Sequence, residues 1–261
     1  MPKPTVAIIA AGNMGAAVAA RLTRHGLTVL TSLAGRSSAS EARARAAGMR
    51  PLAERLAPSF KSSGASRLYV DCNALSPATK ARVGTIATAA GLRFVDGAII
   101  GPPPKPDGTS RTILYVSGEH ADAVMPLGGY GIEVRRVKGG IGAAAALKMS
   151  YAAVTKGLTA LGTASLLAAT KAGITEELRR ELEESQPGVL AFLARGVPDM
   201  CPKAYRWVAE MEEIGKYTCR PDGEQIYNGI ARLYEAIALD LDGDRRDVDR
   251  LEAFFNAARR G

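Results

Sequence analysis

Val6-Ala7-Ile8-Ile9-Ala10-Ala11-Gly12-Asn13-Met14-Gly15 is an apolar, β-branched run that ends in small residues, and an amphipathic stretch from Ala16 to His25 follows at once. A strand, a tight glycine turn and a helix in that order aim the free N–H groups and positive dipole end of the helix at an anion. The fingerprint for a dinucleotide pyrophosphate is G-x-G-x-x-G. Ala10 stands at its first position here, and Gly12 and Gly15 at the other two. The turn residues expected to approach such a ligand are Ala11, Gly12, Asn13, Met14 and Gly15. The plain alternative is a strand–turn–helix unit with no ligand.

Outward from this turn, strands alternate with helices. The pattern predicts strands over 5–10, 27–33, 67–72 and 92–100, with helices over 13–25, 41–47, 52–61 and 76–90. A proline-dense loop over 102–108 cannot lie inside a sheet. Strands over 111–117 and 132–137 then flank a short helix over 119–126. The alternation implies an α/β fold with a doubly wound parallel sheet, the last strands being antiparallel additions. After Gly139 the texture changes. Residues 142–170 form a nearly uncharged stretch that would exceed about 40 Å as one helix. Helices over 176–185, 202–217, 223–241 and 246–259 follow. The expected organisation is a Rossmann-type domain over 1–138 and an all-α domain for substrate and dimerisation over 139–261. One gap stands out. From Ser37 to Arg67 there is no Val, Ile, Thr, Tyr or Trp, so the strand that a doubly wound domain normally places there is missing from the reading.

The chain has 261 residues, 47% hydrophobic and 23% charged, an ordinary globular profile. No uncharged window is expected to span a bilayer, and Met-Pro-Lys-Pro leads straight into the first strand without a secretion signal. Cys72, Cys201 and Cys219 lack metal-ligand spacing and read as free thiols of a reducing, cytoplasmic compartment. The net charge of +8 is dispersed, with no interleaved aromatic platform, so neither nucleic acid nor membrane is an expected partner. An anionic small ligand accounts for the excess equally well.

An NAD site places Asp or Glu about 20 residues past the glycines, against the ribose hydroxyls. No acidic residue precedes Glu41 in this chain, and Ala34-Gly35-Arg36-Ser37-Ser38 closes the second strand. An arginine pairs with a 2′-phosphate bidentately, and serines add donors. Arg36 and Ser37 therefore point to NADP over NAD.

Lys148 and Lys156 are the only charges between Gly139 and Thr170. Lys148 follows Gly142-Ala143-Ala144-Ala145-Ala146, whose small side chains let the helix press against a neighbouring surface. Two readings fit: a partly desolvated lysine suited to proton transfer, or one that snorkels to solvent. Tyr151 shares its helix face. Neither His25 nor His120 looks catalytic, and no nucleophile–base pair or metal cluster is present, which argues against a hydrolase.

Four segments together resemble the β-hydroxyacid dehydrogenase superfamily, which includes 6-phosphogluconate and 3-hydroxyisobutyrate dehydrogenases. They are the turn 10–15, Val70-Asp71-Cys72-Asn73-Ala74-Leu75-Ser76-Pro77, Val95-Asp96-Gly97-Ala98-Ile99-Ile100-Gly101, and the run Gly142 through Lys148. Arg206-Trp207-Val208-Ala209-Glu210-Met211-Glu212-Glu213-Ile214 resembles an uncharacterised helical domain often fused to such Rossmann domains. The resemblance implies an NADP-dependent dehydrogenase or reductase, with a small, acidic hydroxyl or carbonyl substrate and a homodimer. It implies that Lys148 is general base in oxidation and general acid in reduction. It also implies that Asn73 touches the cofactor and that Ile100 and Gly101 line the substrate site. The chain departs from the pattern in three places. Tyr151-Ala152 stand where the family has Asn-Asn, Ile99-Ile100 replace the usual serine of the substrate loop, and the strand between 37 and 67 is absent. These departures leave two alternatives: an imine reductase acting on C=N bonds, or an NADP-binding protein with impaired catalysis.

Overall fold

A computed structural model describes residues 3–33, 35–51, 67–105, 107, 109–218 and 220–257. The architecture is mixed α/β, a Rossmann-type domain followed by a helical one. Two compact units make it up: Met1–Asn73 with Pro77–Lys148, and Ala74–Ser76 with Met149–Gly261.

In the first unit, β1 (Thr5–Ala7), β2 (Thr28–Thr31) and β3 (Arg50–Pro51) form a parallel sheet in that order, with Val6 opposite Val29 and Leu30 opposite Arg50. A second sheet has the order β4 (Leu68–Asp71), β5 (Arg93–Ile100), β6 (Ile113–Ser117), β7 (Glu133–Arg136). β4 and β5 are parallel, β5 and β6 antiparallel, β6 and β7 parallel. The strands thus fall into two sheets among the described residues, not the single one expected. One core serves both. Ala19, Leu22 and Val29 pack in the same buried cluster as Val95, Val116 and Val124. The helices are α1 (Asn13–Arg24), α2 (Ser38–Ala46) and α3 (Pro77–Ala89). Residues 119–126 were expected as a short α-helix and form instead two 3₁₀ turns, Ala121–Ala123 and Met125–Tyr130.

Strand β3 corrects the reading that no strand lies between 37 and 67. Two residues paired through backbone alone need no β-branched side chain, and Pro51, which has no N–H to donate, is tolerated where β3 ends the ladder. The helical stretch expected over 52–61 lies outside the described residues, as does Cys219.

The long helix α4 (Ala143–Ala172) contains the division between the units, at Lys148 and Met149. The sequence places that boundary earlier, at Gly139. Residues 139–148 stay with the first unit because they bond to its second sheet: Gly139 accepts from the Gly118 N–H at 3.4 Å, and Gly142 donates to Asp96 at 3.0 Å. Among the described residues one helix, α4, is long and apolar enough by length and composition to cross a membrane, although Lys148, Lys156 and Lys171 interrupt it. Its apolar residues Met149, Ala152, Ala160, Leu166 and Ala169 are buried within the molecule.

The second unit continues α4 from Met149 and adds α5 (Thr175–Ser185), α6 (Pro187–Met200), α7 (Ala204–Tyr217), α8 (Pro221–Asp242) and α9 (Arg246–Ala257). Its core gathers Met149, Val197, Met211, Ile214, Tyr234, Ile237, Val248 and Leu251. Helix α6 was not among the helices expected. Pro187 stands in its first turn, where a missing N–H costs nothing, and Pro198 sits inside it. Burial of Leu193, Val197 and Met200 at helical spacing outweighs the lost hydrogen bond. In α4, Thr159 and Thr163 are buried and return their hydroxyls to the carbonyls of Thr155 and Thr159, at 3.0 and 2.8 Å, so neither oxygen is stranded.

Candidate functional site

The turn between β1 and α1 leaves a helix N-terminus open. Gly12 is the N-cap, no side chain caps the helix, and its first turn carries no acidic residue. A methyl group added at Gly12 would meet nothing within 4 Å, whereas one added at Gly15 would lie 2.0 Å from the Ala10 carbonyl oxygen. Gly15 is therefore demanded by the packing of helix on strand. Gly12 is not demanded by the protein, and the space above it, with the unpaired N–H groups of the first turn, fits a phosphate group.

Two arginines that follow β2 in the chain donate to carbonyls between β1 and α1. Arg36 Nη2 donates to the Ile9 carbonyl at 3.3 Å and is exposed. Arg43, on α2, donates from Nε to the Ala11 carbonyl at 3.0 Å and from Nη2 to Ser40 Oγ at 3.0 Å. Ser37 caps α2 by accepting from the Ser40 N–H at 3.4 Å. Arg43 is a residue that the sequence alone does not mark. It lies six residues past the Ser37 cap and three past Ser40, whose hydroxyl it meets, and that spacing is its only signal in the sequence.

The second sheet carries a buried polar row. Asp71 on β4 is in register with Asp96 on β5, and Asp96 with Ser117 on β6. All three are buried, as is Lys80 from α3. Lys80 Nζ lies 3.4 Å from Asp71 Oδ1 and 3.6 Å from Asp96 Oδ1, and donates to the carbonyls of Asp71 and Gly97. Asp71 Oδ1 accepts from both the backbone N–H and the side-chain amide of Asn73, at 2.9 and 2.7 Å. Asp96 Oδ2 accepts from Ser117 Oγ at 3.0 Å and from the Gly142 and Ala145 N–H groups at 3.0 and 3.1 Å. Ser117 Oγ accepts from the Ala144 N–H at 3.0 Å. The N-terminus of α4 is thus filled by a carboxylate and a hydroxyl, where that of α1 is open.

Lys148 lies just beyond this filled turn and is half-buried. Its charge acts on the Cys72 thiol next to Asp71. Burial pushes that thiol up to about 11, Lys80 pulls it down, Asp71 raises it, Lys148 lowers it and Asp96 raises it. The Lys148 amine therefore shares an electrostatic neighbourhood with the Asp71–Asn73 end of β4. Ile100 is the last residue of β5, and Gly101 follows at φ +116, where a side chain would meet the Arg111 carbonyl oxygen at 2.2 Å. The turn 11–15 and Arg36–Ser37 follow the C-terminal ends of the parallel pair β1 and β2, and Asn73 and Ile100–Gly101 those of the parallel pair β4 and β5, the kind of edge at which parallel sheets bind ligands. Tyr151 belongs to the second unit, where it is exposed and its carbonyl accepts from Thr155 Oγ1 at 3.0 Å.

Comparison with known proteins agrees with this architecture. Residues 169–237 match the family model described as "Domain of unknown function (DUF1932)". An uncharacterised 28.5 kDa protein from Methanothermus fervidus is 31% identical over 119 residues, which is 46% of this chain; the chain spans 45% of that relative's length. A conserved protein of unknown function, whose structure is described as similar to 3-hydroxyacid dehydrogenases, superposes with a TM-score of 0.69 at 26% identity, over 90% of this chain and 96% of its own. The 3-hydroxyisobutyrate dehydrogenase of Mycobacterium tuberculosis gives a TM-score of 0.69 at 16% identity, over 99% and 100% of the two chains. An imine reductase from Myxococcus stipitatus in complex with NAD+ gives 0.54 at 19%, over 90% and 95%. The chain thus carries a DUF1932 segment in its helical domain, and its structural neighbours are 3-hydroxyisobutyrate dehydrogenase-like, of the β-hydroxyacid dehydrogenase superfamily.

Proposed function

We propose that the chain is an NADP-dependent oxidoreductase acting between a hydroxyl and a carbonyl on a small, acidic substrate, with Lys148 as general acid and base. The observation that carries this reading is the open, uncapped N-terminus of α1 after the glycine turn, in the same compact unit as Asp71, Asn73 and Lys148. The turn 11–15 would hold the pyrophosphate through backbone N–H groups, and Gly12 leaves room for it. Arg36 and Ser37 would hold the 2′-phosphate, in a stretch with no acidic residue before Glu41. Asn73, fixed by Asp71, would contact the nicotinamide side. When bound, the nicotinamide supplies or accepts the hydride. Lys148 takes the hydroxyl proton as the carbonyl forms and returns it in the reverse direction. Ile100 and Gly101 would border the substrate.

Strand β3 speaks against the alternative of a catalytically impaired nucleotide binder, since the third parallel strand is present. A homodimer belongs to the reading, supported by the apolar residues Val154, Leu161 and Ile226, all exposed along a groove of about 500 Å³ between α4 and α8. A cytoplasmic location belongs to it too, supported by the free thiols of Cys72 and Cys201.

Two measurements test the core of the proposal. Fluorescence titration should show NADPH binding tighter than NADH, and Arg36→Ala should weaken NADPH about tenfold with little change for NADH. Equal affinities in the unmodified protein would remove the NADP assignment. In a panel of hydroxyacids, carbonyl acids and imines, Lys148→Ala should slow turnover at least about a hundredfold while NADPH affinity holds within about twofold. Turnover confined to imines would replace the hydroxyl–carbonyl reading with C=N reduction.

A further inference from the structure

We propose that Asp96 is a positioning residue for Lys148, and that Lys80 and Ser117 are the two supports that hold Asp96 in place. The inference rests on the reading of Lys148 as the proton-transfer residue.

Three observations carry it. The first is the division of labour on one carboxylate. Asp96 Oδ2 takes the Ser117 hydroxyl and the Gly142 and Ala145 N–H groups, while Oδ1 makes no hydrogen bond and lies 3.6 Å from the Lys80 ammonium. The second is the completeness of the cap. Gly142, Ala144 and Ala145 donate to Asp96 or Ser117, and Ala143 donates to the Gly140 carbonyl at 3.2 Å. The helix turn that precedes Lys148 therefore has one geometry, set by β5 and β6. The third is cost. Two carboxylates and a lysine, all buried, are no more stable than apolar residues of equal volume. Their return is a fixed arrangement, and the elements they fix are Asn73 through Asp71 and α4 through Asp96.

Electrostatics gives the arrangement a signature that mere packing lacks. Lys148 stands near the N-terminus of α4, where the positive dipole end disfavours an ammonium. The buried charges held against the start of α4 are Asp96 on β5, whose carboxylate takes the Gly142 and Ala145 N–H groups, and Lys80 on α3, 3.6 Å from that carboxylate. Removing the Asp96 charge should make Lys148 easier to deprotonate, and removing the Lys80 charge should make it harder.

Competitive acetylation of the full-length protein across pH, read by mass spectrometry, reports the pKa and reactivity of each lysine without any substrate. Asp96→Asn keeps an oxygen at the cap and should lower the Lys148 pKa by about half a unit. Lys80→Met should raise it by about as much. Lys138 and Lys171 serve as internal standards and should not move. Ser117→Ala removes a cap acceptor and no charge; it should change the Lys148 labelling rate by about twofold or more with its pKa unmoved. Opposite shifts support the proposal. No shift, or shifts of the same sign in both charge variants, overturn it, because a general loosening would act alike in both. Should neither charge variant fold, Ser117→Ala decides, and an unchanged Lys148 labelling rate overturns the proposal. If Lys148→Ala turned over at full rate, the reading of Lys148 would fall while the labelling result stood. If labelling failed, that reading would be untouched.

Discussion

At the scale of single residues, the two glycines of the first turn have different reasons to be there. Gly15 lies where a methyl group would come within 2.0 Å of a backbone oxygen and 3.3 Å of Ile8 Cγ2. Gly15→Ala must therefore shift α1 away from β1, and it should lower folding stability by about 1–3 kcal/mol in urea denaturation. Gly12→Ala adds its methyl to open space at an ordinary φ of −70, so stability should stay within about 0.5 kcal/mol. Its effect should appear instead in NADPH affinity, since the methyl occupies the space where the phosphate would sit. If both variants lost stability alike, the distinction between a packing glycine and a binding glycine would be gone. The sequence shows both glycines and their order. It does not show which one the protein itself requires.

At the scale of elements, three helices of the second unit meet at one node. Lys156 on α4 pairs with Glu210 on α7, and its ammonium lies 4.6 Å from the centre of the Trp207 ring. Tyr234 on α8 meets Trp207 edge-on at 5.2 Å and donates its hydroxyl to the Lys156 carbonyl at 2.5 Å. Burial, and then the Glu210 carboxylate, raise the Tyr234 phenol well above its ordinary 10.0. The sign follows directly. The protonated phenol is favoured in the folded state, so this stabilisation is complete below about pH 10 and is lost as pH rises past the unfolded value. Unfolding free energy should fall above about pH 10, and Tyr234→Phe should flatten that fall while costing about 1 kcal/mol at neutral pH. Fluorescence of Trp207, the one tryptophan of the chain, reports both. An identical alkaline slope in the variant would assign the loss to other groups. The sequence marks Arg206 through Ile214 as a helix of a recurring kind; the partner of Glu210 lies fifty-four residues away and is not marked at all.

At the scale of the whole molecule, the groove between α4 and α8 is lined by Ala153, Gly157, Leu161, Ile226 and Tyr227 among others, with little polar surface. Leu161→Lys places a charge on that face without disturbing the core, since Leu161 is 64% exposed. If the face is the dimer contact, sedimentation velocity should show a dimer for the unmodified protein and a monomer for the variant. An unmodified protein that sediments as a monomer would remove this part of the proposal.

The sequence by itself determined the succession of strands and helices, the glycine turn, the change from α/β to all-α texture, and the sparseness of charge around Lys148 and Lys156. These are carried by neighbours in the chain: periodicity, caps and breakers are local, and local physics is legible in order. It did not reveal β3, because a two-residue strand held by backbone bonds leaves no side-chain pattern. It did not reveal α6, because two prolines mask a helix that burial sustains. Only the tertiary structure decided that Asp71, Asp96 and Ser117 stand in one row, that Lys80 joins the two carboxylates, and that Asp96 reaches across forty-six residues to hold the start of α4. Strand register and helix docking bring those groups together, and both are settled by which faces pack, not by which residues follow one another.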